Sequence, residues 1–310
     1  MVIDRIIGDP KKTKNWEEIL KPPFFRYHVA TSVEDAIHQL AENPGALILA
    51  GGQSLVPAMN FRLASPEMLI DIGKIIGLSS ILIEGDEVVV GANVRHRDLE
   101  LSDEVFAELP VLRQALGNVA HVPIRHRGTI VGSICHADAA AEMPMMLTLT
   151  GGYVTAVGPE GTRKILAEDF FKFHMTTTRA ADEMIVSAHF PIPPEGTGSH
   201  FREFARRNGD YMLAGTGALI RTDSDGRVVT ARLAASGIAS TPKRLLDVEH
   251  VLIGNILSER LLEKAASVAA ESVSTPDDTS ATNGYRRHLL TGLIKDVIAQ
   301  AAKAEEGMVI

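Results

Sequence analysis

Two stretches of small residues are where this chain could do chemistry. The first, Leu49-Ala50-Gly51-Gly52-Gln53-Ser54-Leu55-Val56, follows directly on an apolar run. Adjacent glycines remove Cβ atoms and permit a tight or left-handed turn, so that successive N–H groups can converge on an anion. If Ser54 opens the next helix, its hydroxyl and the first helical donors add to that concavity. Taken alone, an ordinary glycine-rich strand–helix turn is the simpler account. The second stretch is Thr129-Ile130-Val131-Gly132-Ser133-Ile134-Cys135-His136-Ala137-Asp138-Ala139-Ala140-Ala141-Glu142. It joins small side chains to hydroxyls, a histidine and two carboxylates, without the pattern of a regular amphipathic helix. Small residues let a large ligand lie against the backbone, and the polar tips can fix its hydroxyls and amide edges. Alone, a buried small-residue turn explains this stretch equally well. As a pair, the two favour a dinucleotide, whose type the spacing leaves open.

Other chemistries find little support. The sequence has no GxGxxG fingerprint, GxxxxGK[ST] loop, HExxH, GxSxG or EF-hand pattern. The 11 histidines are dispersed; His121, His126 and His136 lack the tight spacing of zinc ligands, so no metal site is expected. A single cysteine, Cys135, excludes an intrachain disulfide and a cysteine-ligated cluster held by this chain alone.

Composition sets the frame for these stretches. The chain has 310 residues, 45% hydrophobic and 23% charged, with a formal net charge of −8. That is globular material long enough for two domains, with no global basic field for nucleic acid. No run approaches the roughly 18 apolar residues of a membrane span. The first residues are charged, with Lys11, Lys12 and Lys14 and no apolar run, so the expectation is a cytoplasmic protein without a signal peptide.

The pattern predicts α+β structure: helices over 33–40, 55–62, 105–119, 243–252, 258–272 and 285–302, and strands over 46–50, 68–72 and 153–157. Hairpins are expected over 81–94 and over 212–235, the latter around Asp223-Ser224-Asp225-Gly226. Pro191-Ile192-Pro193-Pro194-Glu195-Gly196 marks a boundary.

On these motifs the chain resembles the flavin-binding medium subunit of the molybdenum-containing hydroxylases, which include aerobic carbon monoxide dehydrogenase, quinoline-type oxidoreductases and the flavin domain of xanthine dehydrogenase. Ala50-Gly51-Gly52-Gln53-Ser54-Leu55-Val56-Pro57, continued by Phe61-Arg62-Leu63-Ala64 and Leu69-Ile70-Asp71, resembles the first FAD motif of that family. Thr129-Ile130-Val131-Gly132-Ser133 resembles the second, often written TIGGN, and residues 135–144 resemble its continuation. Asn208-Gly209-Asp210-Tyr211 is similar to the element near the flavin ring. Val131 and Ser133 stand where many members have Gly and Asn; Val131 calls for φ < 0.

The resemblance implies a two-part FAD-binding fold of the vanillyl-alcohol oxidase type over 24–78 and 79–191. An N-terminal arm (1–23) would precede it, and a C-terminal α+β domain (192–302) and a tail (303–310) would follow. It implies that 49–56 and 129–133 bind the cofactor, with the backbone of 50–54 and 129–133 cradling the FAD diphosphate, that Asp138 and Glu142 meet ribityl or ribose hydroxyls, that His136 lies close by, and that Tyr211 approaches the ring. Gly51 would then face the diphosphate. No catalytic residue is implied in this chain. A small partner with two [2Fe–2S] clusters and a large molybdenum–pterin partner are implied, in a dimer of heterotrimers that passes electrons to an external acceptor. An N-heteroaromatic substrate fits the 135–144 stretch. The alternatives are a stand-alone FAD oxidoreductase and a non-catalytic nucleotide-binding or scaffold subunit.

Overall fold

The computed structural model describes residues 21–305 except residue 276. The arm expected over 1–23 therefore lies almost wholly outside the described residues, as do residues 306–310 of the tail.

The first unit is β1 (Arg26–Val29), α1 (Val33–Glu42), β2 (Leu47–Leu49), α2 (Leu55–Asn60) and β3 (Met68–Asp71). The strands form a small parallel sheet with β3 in the middle, paired to β1 and β2. Ser32 caps α1 by accepting from the Asp35 N–H at 3.1 Å, and Ala36, Ile37 and Leu40 bury one face of that helix. β2 therefore ends where the first glycine stretch begins.

The second unit opens with the hairpin of β4 (Ile81–Glu84) and β5 (Glu87–Gly91), turning at Gly85, whose φ is +59°. Six helices follow: α3 (His96–Glu100), α4 (Asp103–Glu108), α5 (Pro110–Leu116), α6 (Val122–Arg125), α7 (Ile130–His136) and α8 (Glu142–Thr150). Then come β6 (Tyr153–Gly158), β7 (Gly161–Leu166), α9 (Ala167–Phe170), β8 (Phe171–Phe173), β9 (Thr176–Thr177) and β10 (Met184–Pro191). The sheet order is β4-β5-β10-β6-β7, with β8 and β9 as a separate pair.

The third unit comprises β11 (Gly198–Phe204), β12 (Ala214–Thr222), β13 (Val228–Ser236), β14 (Lys243–Arg244), α10 (Leu246–Leu252), α11 (Glu259–Glu271) and α12 (Asn283–Glu305). Its four strands form one antiparallel sheet in chain order. Leu290, Ile294, Val297, Ile298 and Ala301 make the buried stripe of α12 against that sheet.

Three local expectations are corrected. The helix expected over 105–119 is two helices, because Pro110 cannot donate to the turn before it and so begins α5 instead. Residues 130–136 form a helix despite lacking an amphipathic pattern, since Thr129 supplies its cap. The helix expected from 243 starts at Leu246, because Lys243 and Arg244 pair with β13 as an edge strand.

α8 explains how the units hold together. All nine of its residues are buried, which is why its sequence is apolar all round rather than on one face. The hydroxyls of Thr148 and Thr150 donate to the carbonyls of Pro144 and Met146, both at 3.0 Å, and Arg232 on β13 donates from Nε to the Leu149 carbonyl at 2.8 Å. The main core accordingly includes Phe201, Met212, Leu219 and Ala234 from the third unit. Met145→Ala in α8 should cost about 2–5 kcal/mol, seen as a lowered midpoint in denaturant unfolding.

Candidate cofactor site

The two glycine-containing stretches meet at Gly51. A Cβ there would lie 2.2 Å from the Arg127 carbonyl oxygen and 2.7 Å from the Gly128 Cα. Both are backbone atoms, so only glycine allows the segment after β2 to rest on the segment before α7. The Cβ direction at Gly51 therefore points at the Arg127 backbone. Gly52 supplies the left-handed turn, at φ +72°, and the chain then enters α2. The backbone N–H groups of Gly52, Gln53, Ser54 and Leu55 have no hydrogen-bond partner among the described residues. Ser54 sits at the N-cap without spending its hydroxyl on the cap. Leu49, Ala50 and Leu55 are half-buried around this turn, and Val56 is exposed.

The second stretch is braced from behind. Ile130 N–H donates to the Val94 carbonyl and His96 N–H to the Gly128 carbonyl, both at 3.0 Å. The Gly132 N–H donates to Thr129 Oγ1 at 3.0 Å; a Cβ on Gly132 would stand 2.5 Å from that oxygen, so the glycine makes room for the cap. Val131 is helical and buried, which meets its need for negative φ. Ser133 and His136 are half-buried on the same short helix, and burial, chiefly, lowers the His136 pKa. His96 is buried beside Gly128. Burial and the nearby Arg125 push its pKa down to about 4, so the ring is a neutral filler at physiological pH.

Past α7 the backbone turns at Ala137 in a left-handed conformation, φ +54°. Asp138 closes the following turn, its carboxylate accepting from Ala140 N–H at 2.8 Å. Ala139 N–H points at His174 Nδ1, 3.5 Å away. Glu142 starts α8 at 6% exposure; burial first, then the carboxylate of Glu203 on β11, push its pKa up to about 8. Glu203 is itself pushed up to about 7 by burial, and its Oε2 has no hydrogen-bond partner among the described residues. Tyr211 arrives from the third unit. It is 55% exposed overall, while its hydroxyl is desolvated and feels the charges of Asp138 and Glu142, which puts its pKa at about 12. An open cavity of about 410 Å³ lies beside it, lined by Arg206, Gly209, Asp210, Tyr211, Leu213 and Ser280.

The structure thus joins the 49–56 turn to the 127–133 segment, and joins Asp138, Glu142 and Tyr211 at a second place. Free donors lie at the first, and two carboxyl groups beside an exposed tyrosine lie at the second. Sequence reading missed Arg127, Gly128, His174 and Glu203; only Gly128, next to the Thr129 stretch, carried a local signal. Among the described residues no group of three or more His, Cys, Asp or Glu could hold a metal ion, and no helix is long and apolar enough to cross a membrane.

Family comparison gives this arrangement its context. Residues 23–193 match the FAD binding domain in molybdopterin dehydrogenase, and residues 199–301 match the CO dehydrogenase flavoprotein C-terminal domain. The chain belongs to the FAD-binding medium-subunit family of the molybdenum hydroxylases. It is 39% identical to the nicotine 6-hydroxylase medium subunit of Paenarthrobacter nicotinovorans over 91% of this chain and 99% of that protein. It is 33% identical to the carbon monoxide dehydrogenase medium chain of Afipia carboxidovorans over 90% of this chain and 97% of that one. The crystal structure of quinoline 2-oxidoreductase from Pseudomonas putida 86 superposes with a TM-score of 0.88 at 34% identity, covering 92% of this chain and 99% of that chain. The two-domain α+β architecture of this medium-subunit family is therefore that of the present chain.

Two outcomes follow from the geometry. Gly51→Ala should cost about 1–3 kcal/mol through overpacking, and Gly51→Val more, read by denaturant unfolding together with loss of bound flavin. The second concerns pH. Glu142 has its pKa raised by folding, so between about 4.5 and about 8 the folded chain holds more protons than the unfolded one. Its contribution to stability is therefore present below that window and lost as pH rises through it. Glu142→Gln should melt higher than the unmodified flavin-free chain at pH 8.5, and the gain should shrink towards pH 5.

Proposed function

We propose that this chain is the FAD-carrying electron-transfer subunit of a heteromeric molybdenum hydroxylase. The observation that carries the reading is the set of unpaired N–H groups from Gly52 to Leu55, held against the Arg127–Gly128 backbone by an approach only glycine permits. A cradle of donors with no internal partner suits a doubly charged linker. Residues 24–78 and 79–191 would be the two parts that bind FAD, and 192–302 the domain that closes over the ring end.

In this reading the turn from Leu49 to Val56 and the segment from Thr129 to Ser133 hold the diphosphate from two sides. Asp138 and Glu142 meet the hydroxyls of the ribityl or ribose portion. Glu142, kept protonated at neutral pH by its burial, donates a hydrogen bond there, a role an ionised carboxylate could not fill. His136 lines the same side, and the flat, exposed ring of Tyr211 covers one face of the flavin. Bound FAD would supply a carrier that takes electrons singly or in pairs, linking one-electron centres to a two-electron acceptor. The protein's own work is to orient that carrier, withhold water from its inner face and leave one edge open.

The partners proposed are a small subunit with two [2Fe–2S] clusters and a large subunit with the molybdenum–pterin cofactor, in a dimer of heterotrimers. An N-heteroaromatic substrate, oxidised in the large partner, is supported by the likeness to the nicotine- and quinoline-oxidising relatives.

Purification from the native host tests the whole reading. One FAD per chain, with iron and molybdenum co-eluting, supports it. A yellow chain that is free of metal and oxidises an organic substrate alone favours a stand-alone oxidase, and a colourless chain that takes up no FAD contradicts both. Tyr211→Ala should retain FAD but change the rate of flavin reoxidation severalfold, measured by stopped-flow absorbance; an unchanged rate removes Tyr211 from the ring.

A further inference from the structure

We infer that Arg286, on α12, is a positioning residue that locks the Tyr211 turn and the Ala139 turn into one unit at the ring end of the cleft. Naming that end rests on the FAD reading above; the mechanical coupling does not. Arg286 is 5% exposed. Its Nη1 donates to the Leu213 carbonyl at 2.5 Å and the Gly237 carbonyl at 2.7 Å, and its Nη2 donates to Asp278 Oδ2 at 2.8 Å. Leu213 follows Tyr211 by two residues. Gly237 passes the constraint onward, since its N–H donates to the Ala139 carbonyl at 2.8 Å. One guanidinium therefore fixes both backbone turns.

The backbone around Arg286 is shaped for this contact. Gly237 has φ +76°, and a Cβ on it would stand 2.8 Å from the Leu213 carbonyl oxygen, so the two carbonyls can converge on one nitrogen only with glycine there. Asp278 is held in turn, its Oδ1 accepting from the N–H groups of Ser280 and Ala281 at 2.7 and 2.8 Å. On the far side of the Tyr211 turn, Gly209 (φ +83°) rests against the Ala120 carbonyl and the His121 ring. That carbonyl accepts from Nη1 of buried Arg125 at 3.2 Å. The Tyr211 turn is thus seated between two backbone corners, each held by a buried arginine. A lysine at 286 is a point charge without the planar fork, and can satisfy the carbonyls only in part.

Amide hydrogen exchange by mass spectrometry on the full chain tests this, comparing wild type with Arg286→Met, Arg286→Lys and Asp278→Asn. The expected result for Arg286→Met is exchange about tenfold faster, the scale of one lost buried hydrogen bond, in residues 137–141 and 210–213 together. Residues 52–56 and 129–133 should keep their wild-type rates, and Arg286→Lys should fall between. If Arg286→Met does not fold, Asp278→Asn keeps the guanidinium but removes its counter-charge, and must quicken the same two segments. Wild-type rates in both segments, a change in one without the other, or equal acceleration everywhere would each overturn the inference. A wild-type chain that binds no FAD would withdraw the name given to the cleft and leave the exchange pattern to judge Arg286.

Discussion

The rest of this structure depends on one close approach, that of Gly51 to the backbone of Arg127 and Gly128. Any side chain at residue 51 would hold the small parallel sheet away from the helical layer of the second unit. With hydrogen alone there, the turn after β2 sits on the segment that leads into α7. The donors from Gly52 to Leu55 then lie on the half-buried turn beside that segment. The N–H groups of Ser54 and Leu55 are free because they open α2, and those of Gly52 and Gln53 because the turn bonds to no other segment, so all four are available to an anion.

The place where Asp138, Glu142 and Tyr211 meet obeys a different constraint. Here the groups are carboxyls, and burial pushes two of them, Glu142 and Glu203, towards their neutral forms. Their protons let buried oxygens donate as well as accept, which suits a polyol better than two fixed negative charges would. The main core runs across the seam to Met212, Leu219 and Ala234 of the third unit, so the loop bearing Tyr211 is anchored on the second unit through its neighbour Met212. Where such a seam must also hold a turn in place, directional bonds from arginine add what apolar contact lacks.

Much of the fold could be read locally. Periodicity marked the helix from 33, Asp223 to Gly226 announced a hairpin, and the Pro191–Pro194 run marked the passage between sheets, the last two because turn and proline residues restrict the backbone locally. The helix over 130–136 escaped notice because its stability comes from Thr129 at its cap and from packing, not from an apolar stripe. Pro110 divided an otherwise helical periodicity. The two motif stretches were legible as small residues joined to polar ones, whereas Tyr211 stood out only through the family resemblance of Asn208-Gly209-Asp210-Tyr211. The facing of Gly51 towards Arg127 was not legible, because it is a contact between residues 76 positions apart. Glu203 and Arg286 were equally silent in the sequence, since burial alone makes each of them matter.

If FAD binds as proposed, its diphosphate lies on the N–H groups of Gly52 to Leu55, beside the Gly51 contact. The most direct measurement is a crystal structure of the chain with FAD. Diphosphate oxygens are expected about 2.7–3.2 Å from those nitrogens, with the flavin ring over Tyr211. A diphosphate seated elsewhere, or those N–H groups bonded to protein or water beside a bound FAD, would contradict that placement.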